Sequence, residues 1–347
     1  MVKRFGFCCK WLNDTSEFGG MKVNAKDRDL NGRSTTMRWL REHQDEAEQR
    51  QWDIMNHNAS AAVRMIERVG TLPLERRMVR LGSEMLQGYT EKDWKSWWQQ
   101  PHIQEHLEKI FAPVGEASRK HDVKVSFHPG QFCVLASETP DIVDRSIEEF
   151  EYHADMARWM GFGKSFQDGC KINVHISGRQ GAEGIIKILP RLSTEARNLM
   201  TIENDEMSHG LEQSLKLEKH VALVLDIHHH LIRDEEYIQH DDDRVKRIID
   251  SWRGVRPSMH YSYFRDEALA MAGLTPEEMH EQMHDIKELL ARGAKKQKLR
   301  AHSDLFPNRK TNEWALSFSD NFDIQCEAKG KNMASEQLYN QYKNLTF

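Results

Sequence analysis

The stretch LMTIEND, residues 199–205, runs from apolar and β-branched residues straight into carboxylates at Glu203 and Asp205. A short β-type run that ends in chemistry-bearing side chains fits a strand of a parallel barrel, where all the C-terminal strand ends converge on one face. The same pattern recurs outward in both directions. INVHIS (172–177) reaches His175, KVSFHP (124–129) reaches His128, and ALVLDIH (222–228) reaches Asp226 and leads into His228, His229 and His230. SMHYSYF (258–264) carries His260 and DIQCEAK (323–329) carries Glu327, while KRFGFCC (3–9) and MVRLGS (78–83) complete eight strand candidates. Between them lie amphipathic stretches at 141–160 (Ile142, Ile147, Phe150, Met156, Met160), 184–198, 209–219, 241–252 and 276–292. Alternation of this kind reads as repeated βα units, and eight of them predict an α/β fold, a single (β/α)₈ TIM barrel. With no Pro/Gly/Ser-rich linker or repeat, residues 1–347 are expected to form one domain, with an extended loop and helix region at about 10–77, helical from about Thr35 to Val69.

Six of the eight predicted strands end in His or a carboxylate. One such residue alone is more often a hydrogen-bonded core or surface group than a ligand. Six gathered on one rim are another matter, because buried charges without partners are too costly to collect, and a shared cation resolves the cost. Imidazole with carboxylate suits Zn²⁺ or Mn²⁺, and more than four ligands imply more than one ion.

Composition narrows the alternatives. A chain of 347 residues that is 39% hydrophobic and 30% charged is long enough for a sizeable core, and no apolar run approaches the ~20 residues of a membrane span. The start, MVKRFGFCCKWLND, is too short in apolar residues for a signal-peptide core, so a cytoplasmic protein is expected. Five cysteines without a C-x-x-C pair offer neither a disulfide framework nor a thiolate zinc site. A net charge of −5 argues against coating nucleic acid through bulk charge.

HEQMH (280–284) matches the zinc-protease pattern in which two His at i and i+4 hold Zn²⁺. In a helix 276–292, however, Met279, Met283, Ile286 and Leu290 mark the buried stripe, which leaves His280 and His284 on a solvated flank among Glu277, Glu281 and Glu288. The barrel also places that helix on its outer ring, away from the strand ends.

At SFHPGQF (126–132), TIENDE (201–206), LDIHHH (225–230) and CEAKGK (326–331) the chain resembles the UV-damage endonuclease family, over roughly residues 3–331. The resemblance implies a barrel enzyme that cuts DNA beside a photolesion using two or three divalent ions, usually Mn²⁺, with Zn²⁺ or Mg²⁺ as alternatives. It places metal ligands on His128, His175, Glu203, Asp226, His229, His260, His302 and Glu327, with Glu203 as the bridging carboxylate. His302, in AHSDLF, enters by resemblance alone. The family's lesion-probing pair falls on Gln131 and Phe132, and Phe7 and Trp11 fall at further DNA contacts, while on the residues alone Lys329 and Lys331 in CEAKGK read either as phosphate contacts close to the metals or as strand caps. Four kinds of departure stand out, the first covering two tyrosine positions. Phe132 and Phe7 replace tyrosines, an Asn expected near Lys10–Trp11 is absent, and Ser258 replaces a modifiable Lys. A His expected after strand two is missing from RLGSEMLQGYTEKDW (80–94) unless Glu91 substitutes, so one ion is expected to bind weakly or differently.

The implied chemistry is phosphodiester cleavage by metal-activated hydroxide, with Glu203, Asp226, His229 and Glu327 catalytic. The implied product is a nick immediately 5′ to the lesion (cyclobutane dimer, 6–4 product or abasic site) with a 3′-hydroxyl. Asp205 and His228 read as groups that orient ligands, and His230 as packing. The expected partner is double-stranded DNA carrying UV lesions, with no membrane and no obligate protein partner, hence a monomer. Phosphate or base contacts are sought at Arg33, Arg38, Lys92 and Lys95 beside Trp94, Trp97 and Trp98, and in KKQKLR (295–300). Two rivals remain on residues alone: a sugar isomerase or epimerase on the same scaffold, and a non-cleaving damaged-DNA-binding protein.

Overall fold

Eight short strands are parallel to their neighbours and close into a barrel in sequence order: β1 (Phe5–Cys8), β2 (Met78–Arg80), β3 (Lys124–Phe127), β4 (Lys171–His175), β5 (Met200–Glu203), β6 (Ala222–Asp226), β7 (Ser258–Tyr261) and β8 (Asp323–Cys326). This computed structural model describes residues 2–13 and 27–345. All eight expected strands are present, each somewhat shorter than its sequence run, with helices between them: a TIM barrel. Part of the interval 10–77 lies outside the described residues; the rest holds helices Met37–Glu42 and Gln44–Gly70, the second burying Ile54, Met55, Met65, Ile66 and Val69.

Side chains alternate across each strand. In β1, Phe5 faces the helical layer, packing on Tyr339 and Tyr342 of the C-terminal helix Lys331–Asn344. Gly6 faces the barrel, where an added Cβ would come within 2.6 Å of Met78 Cγ, so only glycine fits that close approach. A small internal cavity of about 20 Å³ is lined by the inward set, including Arg80, Ser126, Asn173, Thr201 and His260. At the N-terminal end of the strands Asp323 is closed off by Lys124 (2.9 Å) and Arg256 (2.7 Å), a buried cluster on the face that serves stability in this architecture. The C-terminal ends carry the metal-binding residue types.

Two expected helices are broken. The run 184–198 divides into Gly181–Ile188 and Thr194–Leu199, with Ser193 Oγ capping the second. The run 276–292 divides into Pro276–Glu281 and Ile286–Ala291, because Gln282 is extended and Asp285 caps a new helix by accepting from Glu288 N. HEQMH therefore spans a helix end and a loop, and its two His do not share a helix face. His280 lies 3.4 Å from Asp266, whereas His284 is buried against Met279 O, and Met283 is exposed rather than on a buried stripe. Among the described residues no helix is long and apolar enough to cross a membrane.

Candidate metal centre

Glu203, at the end of β5, is fully buried and ringed by imidazoles from four directions. His260 Nδ1 stands 2.9 Å from Oε1 and His128 Nε2 3.3 Å from Oε2, with His229 Nδ1 at 3.4 Å and His175 Nε2 at 3.9 Å. Asn173, inward on β4, donates a short hydrogen bond to Oε2. Burial opposes the charge on Glu203, yet His260, His175 and His128 outweigh it and hold the carboxyl well below the usual range.

Asp226 ends β6 and begins the helix Ile227–Asp234, and its Oδ1 accepts from the His229 backbone N–H (2.7 Å). That cap places His229 in the first turn, over the mouth. Asn204 brackets Asp226 through two hydrogen bonds to its backbone, each 2.9 Å. Asp226 Oδ2 is buried with no hydrogen-bond partner. Burial, with Glu203 and Glu327 nearby, pushes this carboxyl up to about 7. Burial works against charge on His229 and His260 as well, but the surrounding carboxylates raise both imidazoles. The pocket thus demands positive charge, and a buried carboxylate oxygen inside it that accepts no hydrogen bond fits a cation. Among the described residues four ligand groups have donor atoms within 4.8 Å of one another: His128–Glu203–His260, His175–Glu206–His229, Glu203–Asp226–His229 and Asp226–His260–Glu327. A donor set of imidazole nitrogen and carboxylate oxygen suits Mn²⁺ or Zn²⁺.

A model of the UV-endonuclease UvdE family matches residues 4–346. The chain belongs to that family. The UV DNA damage endonuclease of Bacillus mycoides (strain KBAB4) is 25% identical over 256 residues, 69% of this chain and 69% of the relative. That of Bacillus velezensis is 29% identical over 167 residues, 46% of this chain, so the match spans about half (51%) of that relative's length. The crystal structure of SacUVDE superposes with a TM-score of 0.70 at 20% identity over 99% of both chains, and shares the fold.

In this UvdE-family chain the barrel mouth collects His128, His175, Glu203, Asp226, His229, His260 and Glu327. His302 stands apart from the four groups, its Nδ1 3.9 Å from Glu327 Oε2. Gln131 and Phe132 sit exposed in the loop after β3, and Phe132, at 86%, is the most exposed large apolar side chain described. Lys329 is half-buried just beyond Glu327.

Other assignments give way. Phe7 has the parity of Phe5, so it faces the helices, fully buried against Trp11; Trp11 is itself buried and covered by Arg68. Neither ring is open to a base. Glu91 is exposed at the start of helix Lys92–Trp98, its electrostatic neighbours being Arg41 and Glu149 rather than the imidazoles, so it does not stand in for the missing His. The basic and aromatic run after β2 is that helix: Trp98 is fully buried and Lys95 is paired with Glu148 (2.6 Å). Arg38 pairs with Glu42 (2.7 Å). Asp205 Oδ2 lies 2.8 Å from His175 Nδ1, one of the expected ligands, whereas His228 contacts Leu299 O rather than any of them.

Sequence reasoning passed over Arg80 and Glu206. Arg80 ends β2 and makes a short ion pair with Glu327, which Arg80 and His260 hold well below the usual carboxylate range despite burial. Its signal in the sequence is its place at the end of β2, the position that His175 and Glu203 hold on β4 and β5. Glu206 lies three residues past Glu203, with Oε2 3.5 Å from His229 Nε2.

Proposed function

We propose that the chain is a metal-dependent DNA repair endonuclease that nicks double-stranded DNA immediately 5′ to UV photolesions, acting inside the cell as a single barrel unit. The observation that carries this reading is Asp226 Oδ2, buried without a hydrogen-bond partner and with His229 Nδ1 near it at 3.7 Å, beside Glu203 and its four imidazoles at the mouth of a UvdE-family barrel. Two or three divalent ions, Mn²⁺ first, would be held by His128, His175, Glu203, Asp226, His229, His260 and Glu327, with His302 at the margin. When bound they supply Lewis acidity and lower the pKa of water toward ~7 for in-line attack on the phosphodiester.

The chain's own residues prepare that chemistry. Glu203 offers one oxygen toward His128 and the other toward His260, which suits a bridging carboxylate. Asn173 fixes it and Arg80 fixes Glu327, so neither carboxylate swings when DNA arrives. Phe132 with Gln131 wedges into the duplex at the rim, and a lesion that already weakens stacking lowers the few kcal/mol that extrusion costs. Lys329 meets backbone phosphate.

The test is nicking of supercoiled plasmid, irradiated and untreated, with Mn²⁺. Cleavage confined to irradiated plasmid is expected; equal inertness toward both, with metal bound, refutes the reading.

A further inference from the structure

We infer that Glu206 is a metal ligand which, with His175 and His229, holds an ion of its own on the β4–β6 side of the centre, and that Arg300 fixes Glu206 for this role. The inference rests on the metal-centre reading and concerns how its ligands divide.

The tautomers carry the argument. His229 Nδ1 lies 3.0 Å from Asn204 O, and a carbonyl only accepts, so Nδ1 bears the hydrogen. The ligating lone pair of His229 is then on Nε2. That atom faces Glu206 Oε2 at 3.5 Å, away from the Glu203–Asp226 pair that Nδ1 approaches. His175 follows the same logic: Nδ1 is held at 2.8 Å by the carboxylate of Asp205, itself pinned by the backbone N–H groups of Met207 (2.7 Å) and Ser208 (2.5 Å). The lone pair of His175 is also on Nε2. The donor atoms of His175, Glu206 and His229 all lie within 4.8 Å of one another. Donors on a tetrahedral ion with ligand distances of about 2.1 Å stand about 3.4 Å apart, close to the separation of Glu206 and His229.

Glu206 is prepared in the way ligating carboxylates are. Arg300 donates from Nε (2.8 Å) and Nη2 (2.5 Å) to Oε1 alone, which leaves Oε2 toward His229. Each of the three ligands thus has its second polar atom held by a neighbour: Asn204, Asp205 or Arg300. Asp226, His260 and Glu327 form a separate group on the far side, and Glu203, 3.9 Å from His175 Nε2 and 2.9 Å from His260 Nδ1, stands between the two. The basic run at 295–300 accordingly contributes one arginine to the metal centre rather than to DNA.

Mn²⁺ titration of the full chain by calorimetry, with elemental analysis after desalting, tests this without reference to cleavage. Glu206→Gln, nearly isosteric, is expected to bind one Mn²⁺ fewer than wild type while retaining the rest. Arg300→Met is expected to keep the stoichiometry and weaken one ion by about 10–100-fold. Should both variants match wild type in number and affinity of ions, the assignment of Glu206 is overturned with the metal centre intact. Should wild type itself bind no Mn²⁺, the metal-centre reading falls and this inference with it.

Discussion

Replacing Glu203 by Gln removes one negative charge with almost no change of shape, at the one side chain that reaches His128, His175, His229 and His260 together. An ion present at 100 times its dissociation constant stabilises the folded state by about 2.7 kcal/mol. For a chain of 347 residues, an unfolding entropy of about 2.1 cal/mol/K per residue gives about 0.7 kcal/mol/K, so each such ion raises Tm by about 4 °C. Two ions give about 7–8 °C. Because His175, Glu206 and His229 keep an ion of their own while the other ion depends on Glu203, Glu203→Gln should lose about half of that increment, leaving about 4 °C at the same Mn²⁺ concentration. In EDTA the variant should melt about 4 °C below wild type, corresponding to about 3 kcal/mol for a broken buried ion pair. The low end of that range applies because His260 keeps Glu327 as a counter-charge at 3.3 Å. Differential scanning calorimetry in EDTA and in Mn²⁺ reads both quantities. An Mn²⁺-induced shift equal to that of wild type would mean that the ions bind somewhere other than this cage.

Phe132→Ala should weaken binding to irradiated duplex by about 5–150-fold, the span of the 1–3 kcal/mol that a stacked base contributes, while Mn²⁺ content stays unchanged; fluorescence anisotropy with and without lesions checks it, and an unaltered preference removes Phe132 from the interface. His280→Ala should retain wild-type metal content and nicking, and the loss of an ion by elemental analysis would restore HEQMH as a ligand pair. Glu149 supplies a pH test away from the metals. Burial, with repulsion from Glu91 and Glu84, raises its carboxyl to about 7, so the folded state holds a proton there that the unfolded chain has released. Stability is therefore lost as pH rises from about 4.5 to about 7 and stays lost above that. Glu149→Gln lacks this loss. In EDTA its stability relative to wild type should climb across that interval to about 1–2 kcal/mol, roughly half the full linkage value of about 3.4 because a third of the side chain is solvated. Urea melts at pH 5 and pH 8 measure it, and a pH-independent difference contradicts the sign.

The strand ends were legible because a parallel barrel ties two easily read features together: a β-type run, and the first polar residue at its C-terminal end. What went unread was parity. In β4 the inward residues are Lys171, Asn173 and His175, in β5 Thr201 and Glu203, in β7 Ser258 and His260, and each metal-site candidate inherits its direction from the residue two before it. The same count applied to β2 turns Arg80 inward with Met78, and applied to β1 turns Phe7 outward with Phe5. Phe7 and Phe132 are chemically alike, yet one is fixed by strand parity against the helices and the other projects from a loop where no such count applies. The helix break at Gln282–Asp285 was equally present in the letters, as an Asp cap three residues before Glu288, but the apolar period ran across it and hid it. Glu206 lay beyond both rules, since its position depends on Arg300, 94 residues away in sequence. Residues placed by local repetition can thus be read singly, whereas a ligand oriented by a distant partner becomes visible only once the chain has brought the two together.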